Sequence, residues 1–203
     1  MDKALFNKQY GLQSAVLEGL KTQTRRIIPL TPEDEEYLST AFDWELRESV
    51  IIERYARYKV GEEVAVAQSY EDIYMEKNAP CPIPDEYRLN AYNKGFNQGH
   101  KGWKNKLFVR PADMPFRIKI TNVRVERLQD ISNEDCLKEG IRKVNYDTFV
   151  VDGIYVYDNG KEDGHYLFDT PREAFATLID KVSGKGTWES NPWVFVYDFE
   201  LVR

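Results

Sequence analysis

Cysteine, histidine and long apolar runs are all scarce in this chain of 203 residues. Its two cysteines, Cys81 and Cys136, and its two histidines, His100 and His165, are too few and too scattered for a disulfide framework or a zinc site. We therefore expect no metal and a reducing, cytoplasmic setting. No apolar run approaches the roughly 18 residues of a membrane-spanning helix, and no signal-peptide core follows Met1, so no membrane association is expected.

An excess of positive charge is also missing. Lysine and arginine together number 28 against 34 acidic residues, which leaves a formal net charge of −6. Proteins that bind polyanions without regard to sequence are normally basic, so a DNA-binding function is not predicted, although a local basic groove remains compatible with the total. The 42% hydrophobic and 13% aromatic content excludes a disordered chain. The length fits one domain.

Common catalytic loops are absent from the sequence. It has no glycine-rich phosphate loop, no HExxH pair and no GxSxG nucleophile turn. The chemistry of P-loop nucleotidases, zinc proteases and serine hydrolases is therefore not indicated, and we expect no organic cofactor.

Hydrophobic periodicity and turn residues predict a mixed α+β chain. The predicted elements are a helix over 10–20, strands over 21–28, 63–68, 115–128 and 192–202, helices over 132–140 and 170–184, and hairpin turns at Asp152-Gly153 and Asn159-Gly160. The apolar phase of the third strand slips near Thr121-Asn122, which predicts a β-bulge. This order suits a small mixed β-barrel with helices packed outside, carrying insertions at about 29–57 and 71–113.

The densest polar cluster is Lys21-Thr22-Gln23-Thr24-Arg25-Arg26. Arginine suits bidentate phosphate contacts and stacking on bases, so the cluster is one candidate anion site. A polar turn at a helix end explains the same residues, because cations there also suit the helix dipole. The residues alone leave both interpretations open.

The same cluster permits covalent chemistry. A threonine nucleophile needs a base, and a lysine serves only if burial or a neighbouring cation lowers its pKa. Lys21 and Thr24 are three residues apart, and Arg25 or Arg26 would lower the pKa of Lys21. A carboxylate would still be needed to relay protons, and spacing does not select one.

Several blocks together resemble the ASCH domain family of the PUA-like superfamily, especially its phage-associated members. The blocks are residues 16–26, with the Gly-x-Lys-Thr-x-Thr-Arg-Arg signature, and 58–62, 114–118, 123–132, 135–141 and 191–199. They run from one end of the chain to the other. The resemblance implies a PUA-like β-barrel with a cleft beside the Lys-Thr-x-Thr segment, and a link to RNA or modified nucleosides.

One branch of that family hydrolyses N4-acetylcytidine. The resemblance assigns its lysine, threonine and glutamate to Lys21, Thr24 and Glu139. Phage-type members often carry Arg-Glu-Thr-Trp where this chain has Ala67-Gln68-Ser69-Tyr70. Gln68 cannot act as a base, so a different or weaker-bound substrate is expected if the family glutamate contacts substrate.

Three functions follow as hypotheses. The first is an amidohydrolase acting on a nucleobase amide, with Thr24 as nucleophile, Lys21 as base and Glu139 as proton relay. The second is a non-catalytic RNA or nucleotide binder, with a ribonuclease as a variant of it. The third is a phage or mobile-element accessory protein that binds a protein partner. The residues expected to contact substrate or RNA are Thr22, Arg25, Arg26, Gln68, Tyr70 and Lys104.

Overall fold

The computed structural model describes residues 2–40, 43–75, 82–144, 154–158 and 165–202. The strands are β1 (Lys3–Ala4), β2 (Gln23–Ile27), β3 (Glu63–Val66), β4 (Arg117–Arg127), β5 (Arg142–Val144), β6 (Ile154–Asp158), β7 (His165–Phe168) and β8 (Trp193–Val202). The helices are α1 (Leu12–Leu17), α2 (Pro32–Ser39), α3 (Trp44–Tyr55), α4 (Tyr70–Met75), α5 (Asp85–Ala91), α6 (Asn133–Lys138), α7 (Pro171–Ser183) and α8 (Thr187–Ser190). The predicted α+β class is confirmed.

Five strands form the main sheet, in the order β1-β3-β4-β8-β2. The β1–β3 pair is parallel, and the other pairs are antiparallel. A second sheet has the order β5-β6-β7. The two hairpin turns predicted at 152–153 and 159–160 lie outside the described residues.

The long β4–β8 pair forms the centre of the sheet, and its register shifts between Ile120 and Asn122. The predicted bulge is therefore confirmed. Because side chains alternate between the faces of a strand, one extra residue returns the later apolar positions to the core face. Ile120 before the shift and Val123 and Val125 after it are all buried.

Short helices are fixed by local capping. Ser132 accepts a hydrogen bond from the amide of Asp135 at the start of α6, and Thr170 accepts one from Glu173 at the start of α7. Gly140 ends the α6 turn with φ of +104°, a conformation that glycine adopts without steric cost. Both predicted helices are confirmed.

The two insertions are helical. The first supplies α2 and α3, and Thr31 opens α2 with a reciprocal capping box to Asp34. The second contains α4, α5, a π-helix over Tyr92–Asn97 and three short 3-10 turns. Gly95, His100 and Gly102 of this insertion pack around the ring of Tyr70, which is buried.

A closed barrel is not seen among the described strands, because β1 and β2 are both edges of the sheet. Strand β1 is only two residues long, and the chain then turns through Asn7–Gly11 into α1. The chain after β1 therefore does not pair with β2 through backbone hydrogen bonds. The gap is bridged by a side chain, since Arg26 Nη2 donates to the carbonyl of Leu5 at 2.6 Å. The sheet thus curls until its two edges are within reach of one arginine.

Candidate functional site

A cleft of about 250 Å³ opens where the sheet edges fail to join. One wall is the segment Leu5–Asn7 that follows β1, and the opposite wall is the β2 stretch Thr24–Ile27. A third wall is the apolar face of α7. Lys21 and Glu139 also line the cleft. The structure therefore brings the three residues of the proposed catalytic set to a single cavity.

Lys21 is almost completely buried, with 2% of its side chain exposed. Its Nζ donates to the backbone carbonyls of Gln23 at 2.7 Å and Glu139 at 2.8 Å. The third donation goes to Glu139 Oε2 at 2.5 Å. Burial lowers the pKa of Lys21 below its ordinary value; Glu139 opposes that shift, and Arg26 and Arg25 add to it. The sequence-based expectation that the neighbouring arginines lower this pKa agrees in direction.

Glu139 caps the end of α6, where the chain turns through Gly140 back towards the sheet. Its side chain is buried, and each carboxylate oxygen has a cationic partner: Oε2 faces Lys21, and Oε1 accepts from Arg25 Nη1 at 3.1 Å. A buried carboxylate needs such partners because an uncompensated charge is costly away from water.

Arg25 is fully engaged inside the protein. Only 1% of its side chain is exposed, and Nε and Nη2 both donate to Glu126 Oε1, at 2.9 and 2.6 Å. Nη1 also donates to Gln23 Oε1 at 2.6 Å. Burial opposes its charge, but Glu139 and Glu126 outweigh burial and raise the pKa of Arg25. Arg25 therefore fixes Glu139 and is not placed to hold a phosphate.

A wider ion network lies behind Arg25. Arg124 donates to Asp135 at 2.7 Å, to Asp198 at 2.9 Å and to Glu126 at 3.2 Å. Gln23 Nε2 donates to Asp198 at 2.6 Å. These bonds tie α6 to three strands and give the Glu139 carboxylate a rigid support.

Thr24 lies on β2 opposite Tyr197 and is 7% exposed. Its side chain reaches the cleft that Lys21 and Glu139 line. Within the described part of the chain, its hydroxyl makes no hydrogen bond, whereas the polar groups of Lys21 and Arg25 are saturated. The Thr24 hydroxyl is thus an uncommitted polar group on this wall, in contrast to the guanidinium of Arg25.

Arg26 stands at the rim of the cleft. It is partly exposed, and its guanidinium lies 5.9 Å from the centre of the Phe6 ring. Its contact with the carbonyl of Leu5 is its only side-chain hydrogen bond to a residue that the structure describes. Arg26 therefore retains donors for a ligand.

The other predicted contact residues lie elsewhere. Thr22 donates its amide to the carbonyl of Lys138 at 2.9 Å and does not line the cleft. Gln68 is buried, and neither polar atom of its side-chain amide has a partner among the described residues. Tyr70 is buried and donates to Asp113 at 2.8 Å. Lys104 is 78% exposed, and its Nζ lies 3.9 Å from Glu71.

The second insertion supports the cleft from behind. Lys106 Nζ donates to the carbonyl of Phe6 at 2.5 Å and to Gln13 at 3.2 Å, and Lys3 Nζ donates to the carbonyl of Val109 at 2.9 Å. None of the described insertion residues lines the cleft itself. The described part of the insertion therefore anchors the Leu5–Asn7 wall and leaves the opening uncovered.

Sequence reasoning missed two parts of the site. The sequence predicts a helix over 170–184 but assigns it no part in a site, yet Phe175, Leu178 and Ile179 of α7 form a wall of the cleft. Periodicity cannot separate a core helix from a cleft wall, because both require an apolar face. The supporting acids Glu126 and Asp198 were also missed. Asp198 has a signal in the sequence, because it continues the strand face of the buried Val194 and Val196. Glu126 has none, because it shares its strand face with Arg124.

No protein-family model, curated protein or solved structure matches this chain. Across the described ranges, no helix is both long and apolar enough to cross a bilayer. The same residues contain no cluster of three or more histidine, cysteine or acidic side chains arranged to hold a metal ion.

Proposed function

We propose that this protein is a PUA-like, ASCH-type amidohydrolase that cleaves the exocyclic amide of a modified nucleobase in the cleft beside Lys21 and Thr24. The observation that carries the proposal is the meeting of a buried lysine–carboxylate pair and an uncommitted threonine hydroxyl in one small cavity. The curled sheet, open between β1 and β2, supports a PUA-like arrangement in which the missing closure forms the cleft.

Lys21 and Glu139 are suited to move the protons that amide hydrolysis requires. Burial favours the neutral form of Lys21, and the carboxylate of Glu139 lies 2.5 Å away to take a proton from it. The neutral amine then accepts the proton of Thr24, and the threonine oxygen bonds to the amide carbon. A general base held in this way is effective because its pKa is shifted towards the working pH.

The remaining steps regenerate the site. The tetrahedral intermediate collapses as the carbon–nitrogen bond breaks, and the proton held by Lys21 passes to the departing amine. Water then adds to the acyl-threonine ester and gives a proton to the neutral Lys21. As the ester carbon–oxygen bond breaks, that proton passes from Lys21 to the threonine oxygen and the carboxylic acid leaves; Glu139 then returns its proton to Lys21. Arg26 is the cation with donors to spare at the rim, so it is placed to stabilise the negative oxygen. Arg25 acts by holding Glu139.

The shape of the cleft limits the substrate. A cavity of about 250 Å³ accepts a single small heterocycle and excludes a duplex. The α7 wall is apolar, which suits the flat face of a base or a short acyl group. Gln68 lies outside the cleft lining, so no side chain from the position of the family glutamate contacts substrate here.

A non-catalytic nucleoside-binding module is the second candidate. The observation that favours it is the saturation of Lys21, whose Nζ donates to three acceptors, as a structural ammonium would. In that case Lys21 and Glu139 brace the cleft, and Thr24 hydrogen-bonds the ligand.

The test is release of acetate and cytidine from N4-acetylcytidine. We expect turnover by the wild type, loss of turnover in Thr24→Ala and Lys21→Ala, and retention in Thr22→Ala. The last is a matched control, because the same substitution two residues away removes a hydroxyl that does not line the cleft. Circular dichroism establishes that each variant is folded.

The outcomes separate the two candidates. Turnover lost in folded Thr24→Ala but kept in Thr22→Ala supports the hydrolase. An inactive wild type that binds cytidine, with weaker binding in Thr24→Ala, supports the binding module. Turnover that survives Thr24→Ala removes the proposed nucleophile.

A further inference from the structure

A second cavity, of about 270 Å³, adjoins the cleft on the far side of Arg26. Leu5, Arg26 and Ile27 line both spaces. The Arg26–Leu5 hydrogen bond therefore separates two halves of one groove that follows the gap in the sheet. Each half alone is at the small end of ligand sites, and together they reach the usual range.

The lining of the second cavity differs from that of the cleft. Buried rings of Tyr58, Phe195 and Tyr197 form its floor, and the partly exposed Tyr55 and the exposed Arg57 lie at its edge. None of the described residues that line it is acidic. Aromatic rings next to guanidinium groups suit a flat ring that carries a negative charge.

The two arginines of this cavity are available to a ligand. Among the described residues, Arg57 forms one ion pair, with Asp2 at 3.1 Å, and the two side chains are 58% and 46% exposed. Its guanidinium also lies 5.6 Å from the centre of the Tyr58 ring. Such surface pairs contribute little, so an incoming phosphate can replace Asp2 at low cost. Arg26 has donors to spare, as described above. Arg25, one residue earlier, is committed to buried carboxylates.

We propose that the second cavity is a subsite for the adjoining nucleotide of the substrate, with the linking phosphate held by Arg26 and Arg57 and the neighbouring base against the tyrosine-rich floor. The inference rests on the proposed function, because it takes the occupant of the first cavity to be a nucleobase. It assigns the substrate to oligonucleotides in preference to free nucleosides.

Calorimetry with unmodified ligands tests the subsite without any turnover. We expect the dinucleoside monophosphate cytidylyl-cytidine to bind wild-type protein about tenfold more tightly than cytidine, which is the gain from a charge-assisted contact to one phosphate. Arg57→Ala is expected to remove this advantage and leave the affinity for cytidine unchanged. Arg54→Ala is the matched control, since Arg54 is 56% exposed and ion-paired but lines neither cavity.

Salt dependence gives a second readout. The affinity for the dinucleotide is expected to fall with rising salt, and Arg57→Ala to reduce that slope. Equal affinities for the two ligands, a dinucleotide advantage that persists in Arg57→Ala, or no binding of either ligand would each overturn the subsite. A dinucleotide advantage without acetate release would retain the subsite and remove only the hydrolase. Acetate release without tighter binding of the dinucleotide would retain the hydrolase and remove the subsite.

Discussion

Replacing Arg25 by methionine is expected to destabilise the protein strongly. The substitution keeps an unbranched side chain of similar length but removes the cation that contacts Glu126, Gln23 and Glu139. Loss of one partner from a buried ion pair typically costs about 3–5 kcal/mol. Arg124 still contacts Glu126, and Lys21 still contacts Glu139, so we expect about 3 kcal/mol, at the lower end of that range.

Urea unfolding followed by circular dichroism measures this loss, and the thermal midpoint should fall by roughly 6–12 °C for a protein of this size. Arg57→Met is the control, because its pair with Asp2 is exposed and is expected to contribute about 0–1 kcal/mol. If Arg25→Met lies within about 1 kcal/mol of wild type, the buried network does not stabilise the fold and the reasoning is refuted.

The pH dependence gives an independent check. Burial alone would raise the pKa of Asp135, but Lys138, Arg124 and Arg25 outweigh burial and hold that pKa below its ordinary value. A carboxyl group with a lowered folded-state pKa stabilises the fold above its unfolded pKa, and this contribution is lost as the pH falls. The stability difference between wild type and Arg25→Met should therefore shrink below about pH 4. A constant difference down to pH 2 would contradict an ionic origin.

Three further predictions concern the second insertion and the buried thiol. Asp113→Asn should cost about 1–3 kcal/mol at neutral pH in urea unfolding. That loss should fade below about pH 4, since hydrogen bonds from Lys94 and Tyr70 outweigh burial and hold the pKa of Asp113 far below its usual value. Gly95→Ala should destabilise the fold by about 1–3 kcal/mol, because an added Cβ would lie 2.7 Å from the Trp103 ring. Alanine is the better helix former, so a variant more stable than wild type would contradict this packing argument. Cys136 is buried, and burial raises its pKa to about 12. In a Cys81→Ser variant Cys136 is the remaining thiol, and it should react with a thiol reagent only in denaturant. Rapid labelling of the native variant would be inconsistent with a buried Cys136.

Some features were determined by the sequence alone because a few neighbouring residues encode them. The caps at Ser132 and Thr170 need only a hydroxyl and an amide three residues later, and both helices begin there. The bulge near 121–122 followed from a slip in the apolar phase of one strand. Lys21 and Thr24 are likewise close in the chain, and the family resemblance added Glu139 to them.

Only the tertiary structure decided which polar groups are free to act. Glu139 meets Lys21 across 118 residues of sequence, and that contact, together with the burial of Arg25, depends on how α6 docks on the sheet. The same long-range packing places Tyr70 and Gln68 outside the cleft and places α7 along one of its walls. The sheet stayed open because β1 ends after two residues, a length that no local pattern reveals. Local signals describe single elements, whereas the site forms where three distant elements meet.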